Sequence, residues 1–555
     1  MNPLATLVLI SLAVSSSSAA DSAPTRREVL DALRRAVEFY RGKVSTEGGY
    51  HSSYAADLSY GRSEHGEGPT QVEVQRETTP GVAMAVLEAY DATGDRYYLE
   101  AARDAARALV RGQLCSGGWD YLIEFDPARR ARHHYRADGH CAGPAPAGAP
   151  PSTLDDNITQ AAARLLMRVD RELNRQDPAI HEAARFALES LLKAQYPNGA
   201  WPQRFHQPPD RDRFPVRRAS YPDDWPRKWP GSNYQTHYTF NDNTLSDAID
   251  MFLEAGRIYG EPRYRAAAEQ GGEFILLAQM PDPQPAWAQQ YDNDMRPAWA
   301  RVFEPPSVTG GESQGVLRTL LVLYRETGNR RFLEPVPRAL AYLKNSALPP
   351  AANPSEARRR VGAGVVLARF YEMKTNRPLY ITKGTRVDVR GGPSSRLDGY
   401  ELSYTDESVI THYAVLVSGD DLENIARDYE RIAQADPVTL RRPEKLRGLS
   451  PWSAREAAPE RAADLAPRVR RILSAMDPRG AWVEEGTIGK ADRVVSLFAA
   501  RDMVATLGGR AYPVKENQTL EVFQGPQPPR ERILRSRAFI RNVGLLSEYL
   551  TALGR

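Results

Sequence analysis

The chain has 555 residues, 41% hydrophobic and 26% charged, a composition that reads as an ordinary folded soluble protein and excludes a disordered or multi-span membrane chain. Its 73 basic and 70 acidic residues leave a net charge of +3, so no global field draws it to nucleic acid. Arginine dominates the basic side, and its planar fork suits carboxylates, so local clusters can still serve an acidic substrate.

From the start of the chain, residues 1–20 carry an apolar run, Leu4 to Val14, followed by small residues to Ala20, the pattern of a secretory signal peptide. The run is too short to span a bilayer. The expectation is therefore an exported protein, secreted or periplasmic, with no membrane attachment once the signal is removed. Thr25 to Arg41 then reads as an amphipathic helix, and Gly42 to Gln75 as an irregular, Gly- and Tyr-rich segment over the core.

Four helix pairs follow: Thr79–Arg111, Leu154–Ala194, Asn241–Ala278 and Gly310–Ala347. The turn within a pair has a repeated flavour, Ala92-Thr-Gly-Asp95, Ile258-Tyr-Gly-Glu261 and Glu326-Thr-Gly-Asn329, where glycine can close a helix. Between pairs a second segment recurs, from Gln113 to Trp119, Gln195 to Trp201 and Gln279 to Trp287. Such repetition predicts a toroid of helix pairs, and the three long interruptions, 120–152, 204–238 and 287–309, fall on one side of it. Aromatic rings in that ring of loops would form a groove in which sugar faces stack.

The two cysteines, Cys115 and Cys141, can pair in an exported chain and would pin the loop holding His133, His134 and His140. A zinc site there lacks any CxxC or HxxxH spacing. Beyond the pairs, Arg369 to Tyr404 looks extended, 436–463 is a Pro/Arg-rich linker, and 464–555 mixes helical stretches such as Ala538–Leu553 with strand-like ones such as Gln518–Phe523. The division is thus a toroid over 25–420, a linker, and an extension of unknown role. Oligomeric state stays open.

Chemistry concentrates at two helix starts, Ser152-Thr-Leu-Asp-Asp-Asn157 and Thr239-Phe-Asn-Asp-Asn243. Helix capping needs one such residue, not three in a row. Asp155, Asp156 and Asp242 at neighbouring mouths of a toroid would come together as a calcium site or as a carboxylate pair for acid and base work. A third dense stretch, Gln279 to Asp292 with Pro297 to Ser307 and Gly310 to Ser313, holds Trp, Gln, Tyr, Asp, Arg and Glu with little aliphatic filler.

The strings AQYPNGAWPQ, YTFNDN, QMPDPQPAWAQQYD, PAWARVFEPPSVTGGES and FYEMKTNRPLY resemble the pectate lyases of polysaccharide lyase family 10, over roughly Thr78 to Tyr404. That resemblance implies an all-α dominated (α/α)3-type toroid, long loops on one face, a small mixed C-terminal extension, and a groove for polygalacturonate. It implies calcium-assisted β-elimination, with Asp155 and Asp242 as metal ligands. The base is Arg301 or Arg318; Arg301 is preferred for its Arg-x-Phe-Glu setting. By the same resemblance Asn241, Asn243, Trp287, Arg377, Lys383 and Arg396 are substrate-binding candidates, with Trp201 and Trp299 as further groove walls. Lys383 stands where the family has arginine, keeping the charge and losing the fork. Two rival readings remain: a glycoside hydrolase on the same toroid, and a non-catalytic pectin-binding protein.

Overall fold

The computed structural model describes residues 23–231, 234–383, 395–407, 409–410, 413–440, 460–488, 493–499, 501–507, 510–515, 518–524 and 529–554. The expected signal segment, 1–20, and most of the linker at 436–463 lie outside these residues.

The helices are α1 (Arg26–Phe39), α2 (Thr79–Thr93), α3 (Arg96–Gly112), α4 (Ile158–Glu172), α5 (Pro178–Ala194), α6 (Thr244–Tyr259), α7 (Pro262–Ala278), α8 (Glu312–Thr327), α9 (Val336–Asn345), α10 (Asp421–Gln434), α11 (Ala462–Ser474) and α12 (Ser536–Ala552). Local chemistry sets their ends. A capping box of Thr25 and Glu28 opens α1, and Asp95 caps α3 through Tyr97 N. Gly94, Gly260 and Gly328 end α2, α6 and α8 at φ of 73°, 72° and 73°, a left-handed turn that glycine makes without strain.

Burial sorts the helices into two layers. Almost every residue of α4 and α6 is buried, which an inner helix requires, whereas α3 and α5 bury one stripe, as outer helices do. Contacts run α12 to α2 to α4 to α6 to α8 along the inner wall, with α1, α3, α5, α7, α9 and α11 packed outside and the more exposed α10 against α8 and α9. This is the expected (α/α) toroid, and all four helix pairs named from sequence belong to it. It continues past residue 420: α12 packs on α2, α1 and α11. The strand Glu531–Arg535 pairs antiparallel with Ser53–Ala55 and with Val483–Gly486. Of the mixed C-terminal extension, α11, α12 and the strands Val483–Gly486 and Glu531–Arg535 therefore join the first helices, whereas Arg493–Phe498 and Gln518–Gln524 continue the sheet of Ser395–Ser403.

The recurring Gln and Trp segments are internal staples. The indole N–H groups of Trp119, Trp201 and Trp287 donate to the carbonyls of Leu109, Leu191 and Ile275 at 2.8, 2.9 and 2.9 Å. The amides of Gln113, Gln195 and Gln279 each bond their own turn and a carbonyl at the next outer helix or its start, Ala183, Ala267 and Pro335. A copy missed in the sequence stands at Trp482, whose indole donates to Ile472 O at 2.9 Å.

These contacts correct the sugar-stacking expectation. Trp287 is fully buried, Trp201 and Trp299 nearly so, and no ring face is left for a ligand; all three bury large apolar area, Trp201 and Trp287 satisfying a helix-end carbonyl and Trp299 the loop carbonyl of Pro226. Cys115 and Cys141 form the expected disulfide. Among the described residues no helix is long and apolar enough to cross a membrane.

Candidate active site

Three inner helices begin with the same device: a two-residue strand, a tight turn, then the helix. The strands are Ser152–Thr153, Tyr238–Thr239 and Val308–Thr309, paired with Arg204–Phe205, Gln290–Tyr291 and Phe370–Tyr371. The threonine ending each strand accepts a backbone N–H from the turn: Thr153 from Asp155, Thr239 from Asn241, Thr309 from Gly311. Asp156 and Asn157, and again Asp242 and Asn243, follow in left-handed backbone, with φ of 49°, 61°, 46° and 59°. The same backbone recurs at both mouths, in Asp and Asn, the non-glycine residues that tolerate it best, and it turns the carboxylates of both segments toward one place.

The turns bring Asp155, Asp156 and Asp242 together, with a carboxylate oxygen of each within 4.8 Å of the others. Burial and then the nearby Asp155 and Asp156 raise Asp242 to about 7. Burial, then Asp155, raises Asp156 as well. Asp155 Oδ2 accepts the Tyr121 hydroxyl at 3.2 Å and lies 3.7 Å from Arg204 Nη2, while Asp155 Oδ1 is buried without a hydrogen-bond partner. An all-oxygen cluster with an unsatisfied buried carboxylate oxygen can hold a divalent cation of the hard, oxygen-loving kind.

Arginines surround the acids. Arg301 Nη2 lies 3.9 Å from Asp242 Oδ2 and is clamped by Glu304 through Nε to Oε2 at 2.9 Å and Nη2 to Oε1 at 2.6 Å. Burial works to lower Arg301, but the Glu304 carboxylate outweighs it and holds the guanidinium firmly charged. Glu304 also accepts from Gln289 Nε2 and from the Tyr413 hydroxyl, both at 2.8 Å. Arg369 pairs with Glu312 and lies 3.4 Å from Asn241 Oδ1, with its guanidinium 4.1 Å above the Tyr413 ring.

Of the sequence candidates, Asp155, Asp242, Asn241 and Arg301 therefore share one site, joined by Asp156, and Asn243 follows half-buried in the same turn. Arg318, the other candidate base, points elsewhere: its Nε donates to Asp421 of α10 at 2.6 Å. Arg377 is exposed and stacks 3.6 Å from the Tyr404 ring centre. Lys383 and Arg396 belong to adjacent antiparallel strands, Pro378–Lys383 and Ser395–Ser403, and their side chains lie outside the described residues. His237, lowered to about 4 by burial, is neutral.

Sequence reasoning missed Tyr121, Arg204, Gln289, Glu304, Arg369 and Tyr413. Arg369 stood immediately before the FYEMKTNRPLY string, and Glu304 three residues after Arg301, so both had a local signal.

A family model described as pectic acid lyase matches residues 129–410. No curated protein matches the chain. Among solved structures, a family 10 polysaccharide lyase from Cellvibrio cellulosa is 18% identical over 62% of this chain and 97% of its own, with a TM-score of 0.40. A mutant of that enzyme in complex with trigalacturonic acid is 17% identical over 64% and 97%, also at 0.40. An inactive α-1,6-mannanase variant of Salegentibacter, bound to α-1,6-mannotriose, is 8% identical over 95% of this chain and 100% of its own, at 0.38.

Proposed function

Because the chain belongs to the pectic acid lyase family and is by that membership a carbohydrate-active enzyme on an (α/α) toroid, we propose that it cleaves polygalacturonate by β-elimination. One observation carries this reading. The carboxylate cluster is faced by Arg204 and Arg301, with Arg369 one residue away at Asn241, and an anionic sugar beside a cation site needs such a wall, whereas a neutral sugar does not.

Asp155, Asp156 and Asp242 would hold calcium. Bound there, it would neutralise and polarise the uronate carboxylate and so acidify the proton on C5. The remaining work falls to the chain. Arg369 and Arg204 orient the carboxylates of the sugars, and Arg301, more than a third of whose side chain is exposed, reaches the C5 proton. Arginine is a base only when its charge is lost. With Glu304 opposing that loss, elimination is expected at alkaline pH, and at lower pH Arg301 acts as a fixed cation for the developing carboxylate charge.

A second reading, hydrolysis, is favoured by one specific feature: Asp242 near 7 beside two further carboxylates suits a proton donor paired with a general base. The discriminating assay follows polygalacturonate by ultraviolet absorbance of the unsaturated uronide and by reducing ends, with calcium or with chelator, for wild type and Arg301→Ala. Calcium-dependent absorbance lost in the variant supports elimination. Reducing ends without absorbance make it a hydrolase, and binding with neither makes it a pectin-binding protein.

A further inference from the structure

Residues ahead of the family-matched stretch also reach the carboxylates. The strand Gln71–Glu73 pairs with Leu122–Glu124, and Val74 N donates to Tyr121 O at 2.8 Å. This fixes the backbone of Tyr121, a buried residue 8% exposed. Its hydroxyl stands between Asp155 Oδ2 at 3.2 Å and Asp156 Oδ2 at 3.4 Å. His65 stacks on the Tyr121 ring, centroids 3.9 Å apart and planes at 27°. Fully buried Glu73 holds His65 by accepting its backbone N–H at 3.2 Å and facing its Nδ1 at 3.3 Å.

We infer that Tyr121, braced by His65 and Glu73, is a positioning residue that sets which oxygens of Asp155 and Asp156 are presented to a bound cation. With Tyr121 and Arg204 both on Oδ2 of Asp155, the remaining oxygen, Oδ1, is the one without a hydrogen bond. A hydroxyl carries one proton, so it bonds one carboxylate at a time and holds the pair close without discharging their mutual repulsion. A cation relieves that repulsion. Groups of this kind, which touch a ligand and not the metal, fix its orientation. The inference rests on the cation-binding reading of the site.

The test is calorimetric titration of the full chain with calcium alone, for wild type, Tyr121→Phe, His65→Ala and His65→Phe. Tyr121→Phe is expected to weaken calcium about tenfold or more with the melting temperature nearly unchanged. His65→Ala, at a partly exposed position that leaves folding intact, weakens it less, and His65→Phe restores it by keeping the stack. Wild-type binding with unaltered affinity in both Tyr121→Phe and His65→Ala overturns the positioning role alone. No calcium heat in wild type overturns the cation reading, and this inference with it.

Discussion

Arg301 and Glu304 form a two-pronged ion pair, 2.9 and 2.6 Å, in which the Glu304 side chain is 1% exposed and the Arg301 side chain 36%. The carboxylate is therefore fixed, and the arginine side chain reaches toward solvent. Glu304→Gln removes the charge that holds Arg301 protonated, so Arg301 falls toward its ordinary value. If Arg301 takes the C5 proton, the alkaline limb of kcat/KM moves to lower pH; if it serves only as a cation, the limb stays and kcat falls. Because water screens the partly exposed arginine, losing its buried partner costs only about 1 to 2 kcal/mol, read by urea denaturation.

Asp242 should cost stability at neutral pH in the absence of metal. Its folded value, about 7, lies above the ordinary 3.8, so the folded state binds more protons between those values and stability falls as pH rises through the window. Asp242→Asn removes the loss. The variant should melt above wild type at pH 8 with chelator, by a modest margin because 37% of the Asp242 side chain is exposed to screening water. The gap should close toward pH 4, and calcium should raise the melting temperature of wild type and not of the variant.

Below the site the inner helices are tied by charge. Arg164 of α4 meets Asp250 at 2.6 Å and Glu254 at 2.8 Å, both on α6, with each side chain at most 8% exposed. Arg164→Met removes the arginine that bridges the two acids, while Glu254 keeps Arg168. A loss of about 3 kcal/mol is expected, measured by chemical denaturation at pH 8.

Trp482 tests how the C-terminal residues belong to the ring. Trp482→Ala should cost about 3 to 5 kcal/mol, as for other buried tryptophans, and lower a single calorimetric transition. Two transitions, with only the smaller one shifted, would mean an independently folding extension.

The carboxylate pair was legible because Asp155-Asp156-Asn157 and Asn241-Asp242-Asn243 exceed what capping needs, and surplus polar residues at a helix start have few other uses. Helix pairs were legible through glycine turns and period. The role of Trp119, Trp201 and Trp287 was not, because an indole serves equally as a stacking face or as a buried donor, and only the chain's return past it decides. Trp482 escaped notice because its copy has Met476 where the others have glutamine. Tyr121 and Tyr413 meet the acids from 34 residues before Asp155 and 109 after Glu304, proximity that no local pattern encodes.

The pairing of α2 with α12 has a kinetic meaning. Val82, Val86 and Ala89 of α2 are buried in the finished ring, where the helix is flanked on one side by Ser536–Ala552, so during synthesis that side stays uncovered while more than four hundred intervening residues emerge. Contacts of such sequence separation slow folding and leave an apolar flank open to wrong partners in the meantime. The scaffold is thus a folding problem as much as a binding one, because the last-made helix completes the neighbourhood of α2, one of the earliest.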